Sequence, residues 1–329
     1  MFKYLISINP LGFMYGSAGA FLSPENLVGK SGAKFPPEAA TLSGLYFSIN
    51  KIQEQFTQAE LRDNLYVAGP FWAECDNKQD FYVPIPWHKI IAKHAVDEWK
   101  FQDNKWCRET EDKLEPDYRW QKISTWGQPV KAFKNNKNTI SDNPWKYVSF
   151  LHPKIKKTER CVEDADGLFL ENSVQISENI CLVYLATYPL ERGWYRFGGE
   201  NHIVEINCEE IKRQRVLQLL QQPIQRSFAL ITPGVWGSTR FSYRYPQTEN
   251  FPQQNVQILT DKPVPYRYRA KGQLGRGRYA VPAGSVYVLE APINQPWWEW
   301  DEAWFPIEGF NLKRVGSGLC LPVDIKGVN

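Results

Sequence analysis

An α+β fold of two ferredoxin-like sandwiches packed together is what the sequence predicts, on three observations. The 329 residues exceed what one small core usually organises, so two domains are expected. Strand-like and helix-like segments follow one another in the same sequence, strand–helix–strand, once in each half. Hydrophobic residues at 43% and charged residues at 23% are ordinary globular values, and no apolar run approaches the roughly 20 residues that would span a bilayer. Disorder, collagen and membrane spans are thereby excluded.

Taken in order, residues 2–8 (FKYLISI) alternate as a strand, with Phe2, Tyr4, Ile6 and Ile8 on one face. A glycine-rich segment with no apolar period follows. From Pro37, PPEAATLSGLYFSINKIQEQF places Leu42, Leu45, Tyr46, Ile49 and Ile52 on one helical face, with Glu38 near the positive dipole end. LYVAGPFWAE and DFYVPIPW read as a strand pair joined by a polar turn. From about 95 to 150 the chain turns polar and Trp-dotted: residues 97–120 hold eight acids against five bases, and 131–160 hold eight bases against two acids. That composition suits a surface insertion in the first domain, which is expected to span 1–160.

The second domain, 161–329, opens with the strand-like GLFLENSVQI, NICLVYLATY and NHIVEIN. CEEIKRQRVLQLLQQ then carries Ile211, Val216, Leu219 and Leu220 at helical spacing, and SFALIT reads as a strand. Fixed-period repeats are missing, which argues against a solenoid.

The chemistry-bearing motifs are sparse. Sequence signatures for a zinc protease, a hydrolase elbow or a dinucleotide fingerprint do not occur. Gly29-Lys30-Ser31 ends like a phosphate loop, but Pro24 stands where the leading glycine is needed, so only a looser phosphate contact is expected there. Four histidines, His88, His94, His152 and His202, are too scattered for a metal cluster, and no cofactor or metal is expected. His88 is retained as a candidate general base for a metal-independent ribonuclease. The six cysteines form no C-x-x-C pair and are expected to be reduced; the N-terminal apolar stretch is too short for a signal peptide, so a cytoplasmic protein is expected.

Net charge is only +3, so any polyanion must be met by local patches. Residues 262–284 (KPVPYRYRAKGQLGRGRYAVPAG) supply one, with six bases, no acid, three tyrosines and four glycines; residues 240–280 hold eight bases, Arg240 among them, against two acids. Arginine and lysine pair with phosphate oxygens, tyrosine stacks on unpaired bases, and glycine lets a backbone N–H approach a phosphodiester. A solvated loop without a ligand fits the same composition. The Trp297, Trp298, Trp300 and Trp304 cluster has acids woven through it, which suits protein contact or inward packing better than nucleic acid; a sugar platform is a further reading.

Several segments together resemble the RAMP superfamily of CRISPR proteins, most closely the third subunit of the Cmr effector complex in type III systems. The resemblance spans the chain. It rests on a P-P-x-x-x-T-L-x-G helix start (Pro36, Pro37, Thr41, Leu42, Gly44) and an A-x-x-G-x-L-F-like region (Ala165, Gly167, Phe169). A G-G-E strand (Gly198, Gly199, Glu200), an A-V-P-A-G-S-V-Y strand (Ala280 to Tyr287) and a terminal glycine-rich loop (Gly309, Gly316, Gly318) complete it. Phe13-Met-Tyr-Gly16 stands where the family often has an Arg-Asp-Gly-Arg-like run, which points to a divergent type III subtype.

The resemblance implies two RNA-recognition-type domains and a non-catalytic subunit that grips the 5' handle of the CRISPR guide RNA. Its expected neighbours are the large polymerase/cyclase-like subunit and the backbone RAMP subunits. Phosphate contacts are expected from Arg240, Arg267, Arg269, Lys271, Arg276 and Arg278, and close backbone approach from Gly272, Gly275, Gly277, Gly316 and Gly318. Lys30 and Ser31 are secondary contacts. Two rivals remain open: a repeat-processing endoribonuclease using His88, and an interaction protein using the tryptophan cluster.

Overall fold

The computed structural model describes the chain except for residues 15–34, 111–112, 157, 160, 163–166, 200, 239–240, 268, 271–272, 275–276 and 329. Mostly antiparallel sheets with few helices make up the fold. Strand β1 (Tyr4–Pro10) is followed by helices α1 (Ala39–Gln53) and α2 (Gln58–Asn64), then β2 (Val67–Glu74) and β3 (Tyr82–Pro84). Next come β4 (Trp120–Lys122), β5 (Ile140–Ser141) and the long hairpin of β6 (Trp145–Pro153) and β7 (Leu168–Ile176). β8 (Ile180–Ala186), β9 (Gly193–Phe197), β10 (His202–Glu210) and α3 (Gln214–Gln221) lead into β11 (Ser227–Leu230), β12 (Gln257–Leu259), β13 (Val286–Val288) and β14 (Cys320–Pro322).

One eight-stranded sheet has the order β9-β10-β1-β8-β2-β3-β4-β5, and a four-stranded sheet has β12-β13-β11-β14. Numbered within each group of four, β10-β1-β8-β2 and β14-β11-β13-β12 both run 4-1-3-2, the strand order expected of the predicted sandwiches. The helices differ from that expectation. α1 makes the first crossover, but the hairpin strand β9 stands where a second helix would lie, and no α-helix crosses between strands of the second sheet among the described residues.

The expected boundary at residue 160 does not separate the two sheets. β1 lies between β8 (Tyr4↔Ala186) and β10 (Tyr4↔Glu210), so strands from both sides of that boundary build one sheet. Nor is the polar region from 95 to 150 wholly an excursion. It sends β4 and β5 into the large sheet, where Tyr82 meets Lys122 and Trp120 meets Ser141, and Ile85, Ile91, Val130, Phe133 and Ile140 form a small core of their own.

The pleat of β1 explains the two-sided core. Ile6 and Ile8 face α1 and join Leu42, Leu45, Tyr46, Tyr184, Val204 and Ile206. Leu5 faces the other way, toward Phe71, Val183, α3 and the second sheet with Phe228, Tyr287 and Leu321. Phe2 departs from the expected alternation because it precedes the strand; it sides with Leu5 and stacks on Trp297 at 6.0 Å. Ile52 departs too and is 84% exposed: ten residues at about 100° each carry it well off the face that Leu42 buries. α3 buries Val216, Leu219 and Leu220 as expected but starts only at Gln214, because Cys208–Glu210 extend β10 against β1.

The buried Asp80 carboxylate fastens α3's approach to the outer strands. It accepts from the Ser124 N–H and Oγ at 3.0 and 2.9 Å and pairs with Arg213 at 2.8 Å. No helix among the described residues is long and apolar enough to cross a membrane.

Candidate nucleic-acid interface

Where the large sheet meets the second one, a cleft of about 710 Å³ opens, within the range of about 300–1,000 Å³ usual for ligand sites. Its walls come from chain segments far apart in sequence: the approach to α1 (Phe35, Pro36, Glu38), β2 (Gly69, Pro70), Trp120 of β4, and Tyr147 and Asn172 of the long hairpin. The loop Ile231–Pro233, the pair Pro265 and Tyr266, and the terminal loop Val315–Ser317 close it.

The terminal loop is held by its backbone. Gly316 sits at φ +71°, and a Cβ there would come within 2.6 Å of the Ala68 Cα, so only glycine lets the loop lie against β2. Thr232 Oγ1 accepts from the Leu319 N–H at 2.9 Å and donates to the Gly316 carbonyl; Ser317 Oγ accepts from the Val235 N–H at 2.9 Å. A second clasp lies just before it, where Tyr66 donates its phenol to Glu302 at 2.6 Å beneath the Arg314 guanidinium, 5.2 Å from the ring centroid. Burial and the Glu302 contact push the Tyr66 phenol up to about 12.

Two lining rings, Phe35 and Trp120, are backed by an aromatic stack that does not itself line the cleft. Trp72 and Tyr82 lie face to face at 3.8 Å, Trp120 meets Trp72 and Trp145 edge-on, and Phe35 meets Trp145 at 5.2 Å. The Trp120 indole donates to Asn143 Oδ1 at 2.8 Å, which fixes the ring. β-sheet pairing on one side and ring contacts on the other leave this wall little freedom.

The basic segment forms a ribbon that springs from the cleft. Val264–Tyr266 pairs with Arg278–Ala280, and Arg269–Ala270 pairs with Gln273–Leu274 beyond it. Arg267 is half-buried next to Tyr266 and Gly277 is exposed. The remaining expected contacts Lys30, Ser31, Arg240, Lys271, Gly272, Gly275 and Arg276 lie outside the described residues, as does the side chain of Arg269.

Two of the expected contacts turn inward. Arg278 is 4% exposed and donates through Nε to Glu308 Oε1 at 2.8 Å and through NH1 to the Ser238 carbonyl at 2.6 Å, so its guanidinium faces protein and not solvent. Gly318, at φ +64°, leaves room for the Trp236 ring, whose Cζ2 would lie 2.7 Å from any Cβ. Both serve packing, because the apposed strands and the buried indole need those positions filled in this way.

The rival sites fare differently from their sequence readings. His88 is 3% exposed with its Nδ1 unpartnered, and burial holds its imidazole well below its ordinary range, so it stays neutral and out of reach of a substrate hydroxyl. Trp297, Trp300 and Trp304 are buried, and the Lys313 ammonium lies over the Trp297 ring, 5.6 Å from its centroid, and donates to the Trp298 carbonyl at 2.8 Å and to that of Trp300. Burial lowers Lys313 to about 8. The cluster is thus core, not a platform. Among the described residues no group of His, Cys, Asp or Glu could hold a metal.

Sequence reasoning missed Trp120, Tyr147 and Asn172. The signal was the tryptophans punctuating an otherwise polar stretch, since large rings in polar sequence are kept near a packed surface.

The fold is similar to solved structures of CRISPR complexes. A chain in the cryo-EM structure of the type III-B Cmr-beta bound to cognate target RNA and AMPPnP, state 1, aligns with 13% identity, 86% coverage of each chain and a TM-score of 0.52. One in the Cmr-beta bound to cognate target RNA aligns with 12% identity, the same coverage and a TM-score of 0.51. No curated protein matches. The sequence model of the CRISPR-associated protein (Cas_Cmr3) family matches residues 13–324, nearly the whole chain, and the protein belongs to that family.

Proposed function

We propose that this chain is a non-catalytic RNA-binding subunit of a type III CRISPR effector complex. It binds the 5' handle of the guide RNA and caps the assembly beside the large polymerase/cyclase-like subunit, with the backbone RAMP subunits on its other side. Its two 4-1-3-2 sheets are read as two ferredoxin-like, RNA-recognition-type units. The observation that carries the reading is the convergence of the α1 approach, the root of the basic ribbon and the glycine-bearing terminal loop on one cleft. A single-stranded end laid along the ribbon meets cations first and the cleft next. Against the rival repeat-cleaving activity stands the burial of His88, the base considered for it, at 3% exposure.

The test is filter binding of guide RNA to the assembled complex across a salt series, comparing wild type with Arg267→Glu/Arg269→Glu. Each lost phosphate contact is expected to flatten the log–log salt slope by about 0.7 for a single strand. An unchanged affinity and slope would remove the ribbon from the interface.

A further inference from the structure

We propose that Cys75 and Cys181 form an oxidisable dithiol, a modification site at which a peroxide converts the two thiols into one disulfide across the large sheet. None of the six cysteines is in a disulfide. These two share a sheet face. Cys181 of β8 stands opposite Ala73, and just past the end of β2 the Cys75 N–H bonds the Asn179 carbonyl at 2.8 Å. Both side chains pack into the core that holds Leu5 and Phe71, and their thiols are in hydrogen-bond contact.

Their surroundings divide the roles. Cys75 is half-buried, within reach of a small oxidant, and its Sγ accepts from Asn9 Nδ2 at 3.2 Å, a donor that supports the thiolate, the form that attacks peroxide. Cys181 is fully buried, and burial together with the Cys75 contact pushes its thiol up to about 12, so it stays protonated until a partner sulfur is activated beside it. Exposure alone would favour Cys161, but that thiol donates to Glu159 Oε2 at 3.0 Å, and the contact raises it away from the thiolate.

The Cys75 sulfur attacks one peroxide oxygen: an S–O bond forms, the O–O bond breaks, and the leaving hydroxide departs with the thiol proton as water. The Cys181 sulfur then attacks the sulfenic sulfur. The S–S bond forms, the S–O bond breaks, and the departing hydroxide takes the Cys181 proton as a second water, so two electrons pass from the sulfurs to the peroxide. A disulfide needs the two Cα atoms within about 7 Å, and diagonal cross-strand partners sit near that limit. Cys75 lies in a turn closed by the Asn77 N–H on the Glu74 carbonyl at 2.9 Å, outside the strand, where the backbone can make up the difference.

The test treats the full chain with about one equivalent of hydrogen peroxide, alkylates the remaining thiols and maps every cysteine by mass spectrometry. The expected product is a peptide pair joined through Cys75 and Cys181, lighter by two hydrogens and separated again by dithiothreitol, with Cys161 alkylated. Cys75→Ser, at a half-buried site, should abolish the link and leave Cys181 a thiol. Cys181→Ser should stop Cys75 at a sulfenic acid that dimedone traps. Since a serine in that core can unfold the chain, wild type oxidised in urea is the second measurement, and there the preference for this pair should disappear. Oxidation of Cys161 ahead of Cys75, oxidised Cys75 beside an alkylated Cys181 in wild type, or the same link formed equally in urea would each overturn the proposal. None of these readouts depends on RNA binding.

Discussion

Alanine at Gly318 separates a packing glycine from a ligand-contact glycine. The backbone there holds φ +64°, a left-handed conformation that costs an L-residue about 1–2 kcal/mol. The added methyl would also press on Trp236, which is 1% exposed, packs against Phe305 and donates its indole N–H to Tyr287 at 3.2 Å, so the ring has nowhere to retreat. Overpacking of a tight core adds about 1–3 kcal/mol, and the two together give roughly 2–5 kcal/mol of lost stability. Urea unfolding followed by tryptophan fluorescence reads this as a lower midpoint at constant slope. Gly44→Ala is the internal control: it lies exposed in α1 with no atom within 4 Å of a new Cβ and should stabilise by about 0.5–1 kcal/mol. If Gly318→Ala unfolded within about 1 kcal/mol of wild type yet lost RNA affinity, the packing role would be refuted and direct contact favoured.

Two further outcomes follow from the buried charges and the buried histidine. Glu308→Gln should cost about 3–5 kcal/mol, because the Arg278 guanidinium would remain buried without its counter-charge, and Arg278→Met/Glu308→Leu should recover much of it; a melting series of the two variants decides the point. Stability should fall as pH drops below about 6.5, since the unfolded chain takes up a proton on His88 that the folded chain refuses. His88 adds up to about 1.4 kcal/mol per pH unit to the slope, and His88→Asn should remove that share, as urea midpoints from pH 7 to 5 will register.

Local pattern was readable from sequence wherever a short window decided the outcome. The period of Leu42, Leu45 and Tyr46 fixed the inner face of α1, and the Val216, Leu219 and Leu220 spacing did the same for α3. Ile52 misled because apolar identity continued after the face had rotated away. Strand partnership was not readable, since Tyr4 pairs with Ala186 and Glu210 through contacts that no local window contains. The cleft was only half visible for the same reason. Its glycine loop and α1 approach carry recognisable residues, whereas Trp120, Tyr147 and Asn172 reach it through sheet pairing alone. The glycines themselves were ambiguous, because a missing Cβ makes room equally for a phosphate and for Ala68 or Trp236.

The placement of β1 bears on how the polypeptide is made. Its Ser7 hydroxyl bonds a carbonyl 200 positions downstream, at Asn207. The first strand therefore leaves the ribosome long before either flanking strand exists, and must wait unpaired with Ile6 and Ile8 bare. Such delayed closure is slow and exposes a sticky edge. Fragments cut near residue 160 should accordingly aggregate when expressed singly and dissolve when co-expressed, each half supplying the strands the other lacks.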